Sequence, residues 1–122
     1  MTTTTSDSGF TLSTHVLDTA LGAPASGVKV WLEAVAPDGN TRVVGRAVTD
    51  GDGRVRAFAG AGATLSAGVY RLHFDTDGYF HDTAREGFFP DVTIAFRAVS
   101  GSGHYHLPLL LNPYGYTTYR GS

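Results

Sequence analysis

Two histidines separated by a single residue are the feature of this sequence that points most directly to chemistry. His104 and His106 flank Tyr105, and side chains two residues apart point to the same side of a β-strand. Such a pair can bind zinc with His15 as a third ligand, or one ring can act as a general base near neutral pH. No carboxylate lies beside the pair in the sequence, which favours proton transfer over metal binding.

Arginine supplies eight of the nine basic residues. Arg54 follows a glycine-rich turn, and Arg120 lies close to the end of the chain. A guanidinium presents a rigid fork of donors that suits carbonyl and carboxylate oxygens. Most arginines are solvated surface cations. The pattern therefore indicates Arg54 and Arg120 as candidates without assigning them a role.

Short alternating runs separated by turn signals predict the strands that must position these side chains. Eight such runs at roughly ten-residue spacing predict an all-β antiparallel sandwich or barrel. One short helix is expected within residues 77–87. The turn Asp50-Gly51-Asp52-Gly53 predicts a tight hairpin leading into a strand from Arg54 to Phe58. Pro108 lacks a ladder donor, which predicts an edge or a bulge at its position.

The same alternation places the candidate residues outside the core of the sandwich. His15, His106 and Tyr119 fall on faces that are turned away from the buried side of their strands. Leu17 and Leu110 fall on those outer faces with them. Histidine, tyrosine and leucine together are unlike a plain solvated surface and indicate a subunit interface or a ligand groove.

Composition narrows the class of protein. A chain of 122 residues suits one domain, with residues 1–9 expected to be a disordered arm and residues 10–122 the folded part. Nine Lys and Arg against eleven Asp and Glu argue against a nucleic-acid binder, and no apolar run is long enough to span a membrane. Cysteine is absent, and the first residues lack the pattern of a secretion signal, so a cytoplasmic protein is expected.

Three stretches of the chain are distinctive. They are Leu12–Asp18, Thr49–Arg54 and His104–Thr118, and the chain then ends in Tyr119-Arg120-Gly121-Ser122. With these stretches the sequence resembles the 5-hydroxyisourate hydrolase branch of the transthyretin-related family over nearly its whole length. The terminal Tyr-Arg-Gly-Ser is the most specific mark of that branch. Transthyretin itself keeps the fold but carries neither the histidines nor this ending.

The resemblance implies a prealbumin-like, transthyretin-like β-sandwich of two four-stranded sheets with one short helix. It further implies a homotetramer, built as a dimer of dimers, with active sites in the channel where the dimers meet. No cofactor and no metal are implied. The functional positions of the family fall on two groups of residues in this chain, which are catalytic (His15, Arg54, His106 and Ser122) and substrate-binding (Tyr119, Arg120 and Gly121).

The activity implied is the opening of the small molecule 5-hydroxyisourate by water to 2-oxo-4-hydroxy-4-carboxy-5-ureidoimidazoline, in urate degradation. His106 or His15 is expected to activate the water, and Arg54 to hold the substrate oxygens. Two other functions remain open, namely a passive carrier of small molecules in the central channel and a structural sandwich module. A metal-dependent hydrolase using His104, His106 and His15 also remains open.

Overall fold

The structure is a computed structural model that describes residues 9–58, 64–101 and 103–122. Apart from Gly9, the predicted N-terminal arm lies outside the described residues. The described part of the chain contains nine strands and one helix. In chain order they are β1 (Phe10–Asp18), β2 (Ala23–Pro24), β3 (Lys29–Val35), β4 (Thr41–Val48), β5 (Arg54–Val55), β6 (Gly68–Phe74), α1 (Thr76–Asp82), β7 (Val92–Ala98), β8 (Gly103–Asn112) and β9 (Gly115–Thr118).

These strands form two sheets, which confirms the predicted sandwich. One sheet has the order β4-β3-β6-β7, and the other has the order β2-β1-β8-β9 with β5 also paired to β1. Two details differ from the prediction. The second sheet has five strands, because two-residue strands lie against β1, and β1 runs parallel to β8. The two strands are distant in sequence, so no hairpin imposes an antiparallel direction on them.

The core lies between the two sheets and follows the predicted alternation. Every second residue of β1, from Phe10 to Asp18, is buried, and the residues between them are half-buried. Phe10 packs edge-on against Tyr70 of the other sheet, with ring centroids 5.2 Å apart, and edge-on against Tyr105 at 5.3 Å. Aromatic rings favour this edge-to-face geometry. The buried faces therefore hold the sheets together, and the outer faces are left for other roles.

The turn at Asp50–Gly53 is present, but the hairpin predicted from it is wrong. β5 is only two residues long and pairs with β1 of the five-stranded sheet rather than with β4, and Arg54 lies opposite His15. The turn therefore carries the chain from one sheet to the other. The Asp50 carboxylate stabilises it by accepting hydrogen bonds from the backbone amides of Asp52, at 2.9 Å, and Arg54, at 3.0 Å.

Pro108 lies in an interior strand, between β1 and β9, and neither ladder shifts register there, so the prediction of an edge or a bulge is wrong. Ladder pairing with β9 begins only at Leu109, opposite Thr118. The Pro108 carbonyl accepts a hydrogen bond from the Thr118 hydroxyl at 2.8 Å. The missing N–H faces the point where β9 ends, so no regular ladder bond is lost there.

The single described helix, α1, begins one residue before the expected region and ends within it. It is anchored to the sheet through a buried carboxylate. Asp18 is fully buried and accepts hydrogen bonds from the Arg85 guanidinium, at 2.6 Å, and the Tyr79 hydroxyl, at 2.8 Å. Burial opposes the charge on Asp18, but these bonds and one from the Leu21 amide outweigh it and hold its pKa below the ordinary value. No helix in the described part of the chain is long and apolar enough to cross a membrane.

Candidate active site

The candidate residues meet on the outer face of the five-stranded sheet because of how its strands pair. Arg54 on β5 lies opposite His15 on β1. Ser13, two residues earlier on the same face of β1, lies opposite His106 on β8. Three strands that are distant in sequence therefore bring a guanidinium and two imidazoles onto one surface.

A cleft of about 320 Å³ opens at this place, which is at the lower end of the range for small-molecule sites, roughly 300–1,000 Å³. Three of the predicted site residues line it, namely Arg54, His106 and Ser122. The other lining residues are Ser13, Thr14, Val55, Arg56 and His104. Two arginines and two histidines thus lie in its walls.

His106 is half-buried in this cleft. Burial lowers its pKa. The charge of Arg54, and those of His104 and His15 when they are protonated, lower it further. The ring is therefore neutral at pH 7 and able to accept a proton. This desolvation arises already within a single chain.

His15 lies beside the cleft rather than in its walls. Its Nε2 is 2.9 Å from the Asp52 carbonyl oxygen. A carbonyl can only accept, so Nε2 carries the proton and Nδ1 is the free nitrogen of the neutral ring. Asp52 could not be recognised as a partner of His15 from the sequence, because alternation does not predict that its turn crosses between the sheets.

His106 is connected to His104 through a serine hydroxyl. Ser13 Oγ lies 2.8 Å from His106 Nδ1 and 2.8 Å from His104 Nε2. His104 Nδ1 lies in turn 2.6 Å from the Thr11 hydroxyl. The serine thus occupies the space between the histidines where a shared metal ion would have to bind. Within the described residues, no group of three histidine or acidic side chains is arranged to hold a metal.

The C-terminal residues approach His106 from the other side. The Gly121 amide donates to the His106 carbonyl at 2.7 Å, and a Cβ at Gly121 would lie 2.8 Å from His106 Cδ2. This close approach requires glycine and brings Ser122 into the cleft. Tyr119 is 56% exposed, and the Arg120 guanidinium lies over the Tyr105 ring, 4.6 Å from its centroid. Neither of these two residues lines the cleft of a single chain.

Ser13 and His104 were not among the predicted site residues. Alternation did place Ser13 on the outer face of β1, but it could not tell which strand pairs with β1. The β1–β8 register supplies that information. Without it, the sequence indicates His104 only as one member of the His104–His106 pair.

A sandwich of this topology with a cleft on one outer sheet face defines a transthyretin-like protein. The family model described as the HIUase/Transthyretin family matches residues 12–121. The chain belongs to this family.

Its relatives include both enzymes and transthyretins. A 5-hydroxyisourate hydrolase of Deinococcus radiodurans is 46% identical over 114 residues, which cover 91% of this chain and 95% of the relative. The structure of Klebsiella pneumoniae 5-hydroxyisourate hydrolase has a TM-score of 0.80 and 40% identity, and the match covers 92% of this chain and 99% of that one. Transthyretin from Sparus aurata has a TM-score of 0.83 and 33% identity, covering 90% and 95%.

Proposed function

We propose that this protein hydrolyses 5-hydroxyisourate, opening the six-membered ring to give 2-oxo-4-hydroxy-4-carboxy-5-ureidoimidazoline. The observation that carries the proposal is a half-buried histidine of lowered pKa, His106, sharing a cleft with Arg54. The names of the enzymatic relatives, which match most of this chain, support the same substrate.

In the proposed reaction, His106 accepts a proton from water through Nε2, because its Nδ1 is engaged with Ser13. The water oxygen bonds to a ring carbonyl carbon, and the adjacent ring C–N bond breaks. The proton on His106 then passes to the leaving nitrogen, which returns the imidazole to its neutral form. His15 is the alternative base, since its Nδ1 is free while Nε2 donates to Asp52.

Arg54 and the C-terminus supply the rest of the proposed site. The Arg54 guanidinium binds the substrate oxygens and stabilises the negative charge that develops on the attacked carbonyl. Ser122 lines the cleft and orients the water or the substrate through its hydroxyl and terminal carboxylate. Gly121 holds this segment against His106, and Tyr119 and Arg120 contact the substrate in the assembled protein.

The proposed assembly is a homotetramer, a dimer of dimers, in which the outer faces of the five-stranded sheets meet. Leu17 and Leu110 lie on that face among polar residues, and such a mixture suits an interface better than a solvated surface. A second chain over the cleft would remove water from around His106 and Arg54. Electrostatic stabilisation by Arg54 is stronger in such a water-poor site.

The proposal is tested by following the decay of freshly generated 5-hydroxyisourate in ultraviolet absorbance. His106→Ala and Arg54→Ala are each expected to slow turnover about 10²- to 10⁴-fold, the scale for losing an acid–base or electrostatic group. His81→Gln, at an exposed position on α1, serves as a control and should retain the wild-type rate. Wild-type rates in both cleft variants would refute the mechanism.

A passive carrier is the second candidate, and the likeness to a sea bream transthyretin solved in complex with thyroxine, with a TM-score of 0.82 and 32% identity, favours it. The composition of the cleft speaks against it, because two arginines and two histidines line it, whereas an apolar ligand requires apolar walls. Tight, stoichiometric binding of a hydrophobic aromatic compound without turnover of the isourate would support the carrier instead.

A further inference from the structure

Four side chains on the outer face of β1 and β8 form one continuous chain of hydrogen bonds. It runs from Thr11 through His104 and Ser13 to His106, with distances of 2.6, 2.8 and 2.8 Å. All three contacts join residues about ninety positions apart in sequence, and the β1–β8 register brings them together. These hydrogen bonds are not needed to hold the two sheets together, because the four side chains lie outside the hydrophobic core.

The donor protons and lone pairs of these four side chains allow the hydrogen bonds to run in only two directions. A serine hydroxyl has one proton, so Ser13 donates to one of the two imidazoles and accepts from the other. If Ser13 donates to His104 Nε2, the proton of neutral His106 is on Nδ1 and its Nε2 carries a lone pair. In the opposite direction, Ser13 donates to His106 Nδ1, and the proton of His106 is on Nε2.

The surroundings of His106 favour the first direction. Arg54 lines the same cleft, and a positive charge beside the ring favours a lone pair over an N–H on the nitrogen that Ser13 leaves free. In this direction His104 carries its proton on Nδ1 and donates to the Thr11 hydroxyl.

We propose that Ser13 and His104 are positioning residues that hold His106 with its proton on Nδ1, which leaves Nε2 free to accept a proton from water. Ser13 also accepts from the Nδ1–H of the imidazolium that forms when the proton arrives. The role in catalysis rests on the proposed hydrolysis, whereas the protonated nitrogen is a property of the protein alone.

The position of the proton can be read directly by nuclear magnetic resonance. In protein labelled with ¹⁵N in histidine, two-bond correlations separate a protonated ring nitrogen from an unprotonated one. We expect neutral wild-type His106 to carry its proton on Nδ1, and Ser13→Ala to give a mixture of both tautomers. A neutral wild-type ring with its proton on Nε2 would overturn the proposal.

Kinetics provide the second measurement. Ser13→Ala is expected to lower kcat about 10- to 100-fold, the scale on which partners of a functional histidine act, with a much smaller change in KM. Ser13→Thr, which keeps the hydroxyl, should restore most of the lost kcat, and His104→Ala should resemble Ser13→Ala. A merely structural role would not produce the rescue by threonine.

Two results separate this proposal from the proposed function. A wild-type kcat in Ser13→Ala, in a protein that hydrolyses the isourate, would overturn the positioning role and leave the hydrolase intact. If the wild-type protein does not hydrolyse the isourate, the proposed function fails, while the resonance experiment still decides the tautomer of His106.

Discussion

At the scale of single residues, what distinguishes the histidines is which of their nitrogens are engaged. His73, on the outer face of the four-stranded sheet, has both nitrogens occupied, with Glu33 Oε1 at 2.5 Å and the Thr93 hydroxyl at 3.0 Å. It also stacks on Trp31, with centroids 4.9 Å apart. His106 has one nitrogen bound to Ser13. His73 therefore has no unoccupied nitrogen for proton transfer, whereas His106 keeps one in the cleft.

The environment of His106 predicts the pH dependence of the reaction. Burial, together with the charges of Arg54, His104 and His15, lowers its pKa from about 6.5. The active form is neutral, so activity should be complete at pH 7 and fall only as the pH drops below 6.5 through the lowered pKa. Removing one of the cations by Arg54→Gln should raise the His106 pKa.

Titration of the His106 ring protons by magnetic resonance measures this shift even in a variant that has lost activity. Arg71→Gln removes an exposed cation from β6 of the other sheet and is the matched control. It should leave the His106 midpoint where it is in the wild-type protein. An equal midpoint in Arg54→Gln and the wild type would show that Arg54 does not act on this ring.

At the scale of secondary-structure elements, the turn before β5 determines whether Arg54 reaches the site. Gly53 has a φ of +76°, a region that disfavours side chains. A Cβ there would also overlap the Val16 carbonyl oxygen, which is rigid backbone. Gly53→Ala is therefore expected to destabilise the fold by about 1–3 kcal/mol and to lower activity by displacing Arg54.

Gly51→Ala is the matched control in the same turn, because a Cβ at Gly51 meets nothing within 4 Å. Thermal unfolding and the isourate assay on both variants test the prediction. Gly51→Ala should resemble the wild type in both measurements. Equal melting temperatures and rates for the two variants would mean that this turn does not control the position of Arg54.

The same turn marks the limit of what the sequence could predict. Alternation identified the outer faces of β1 and β8 correctly, because burial depends on a local period of two residues. The partner of β5 could not be obtained in this way, since pairing Arg54 with His15 is a contact between distant segments. For the same reason the sequence indicated His106 as a site residue but not the Ser13 hydroxyl beside it.

At the scale of the whole molecule, the inner and outer faces of the sheets have different roles. Inner faces hold the buried aromatic and aliphatic side chains, and one outer face holds the cleft. A cleft on an outer face is open to water in a single chain. The chemistry proposed for Arg54 depends on the exclusion of water, so the activity should depend on the assembly as well as on the fold.

Leu110 offers a test of that dependence, since it lies half-buried on the outer face of β8, away from the core. Leu110→Glu would place an unpaired charge in the proposed interface, which costs several kcal/mol. We expect a smaller mass by light scattering, a lower kcat/KM and an unchanged β-sheet circular dichroism spectrum. Val48→Glu, at a 57% exposed position on β4, should change none of these. A wild-type protein that is monomeric in solution yet fully active would contradict the proposed tetramer.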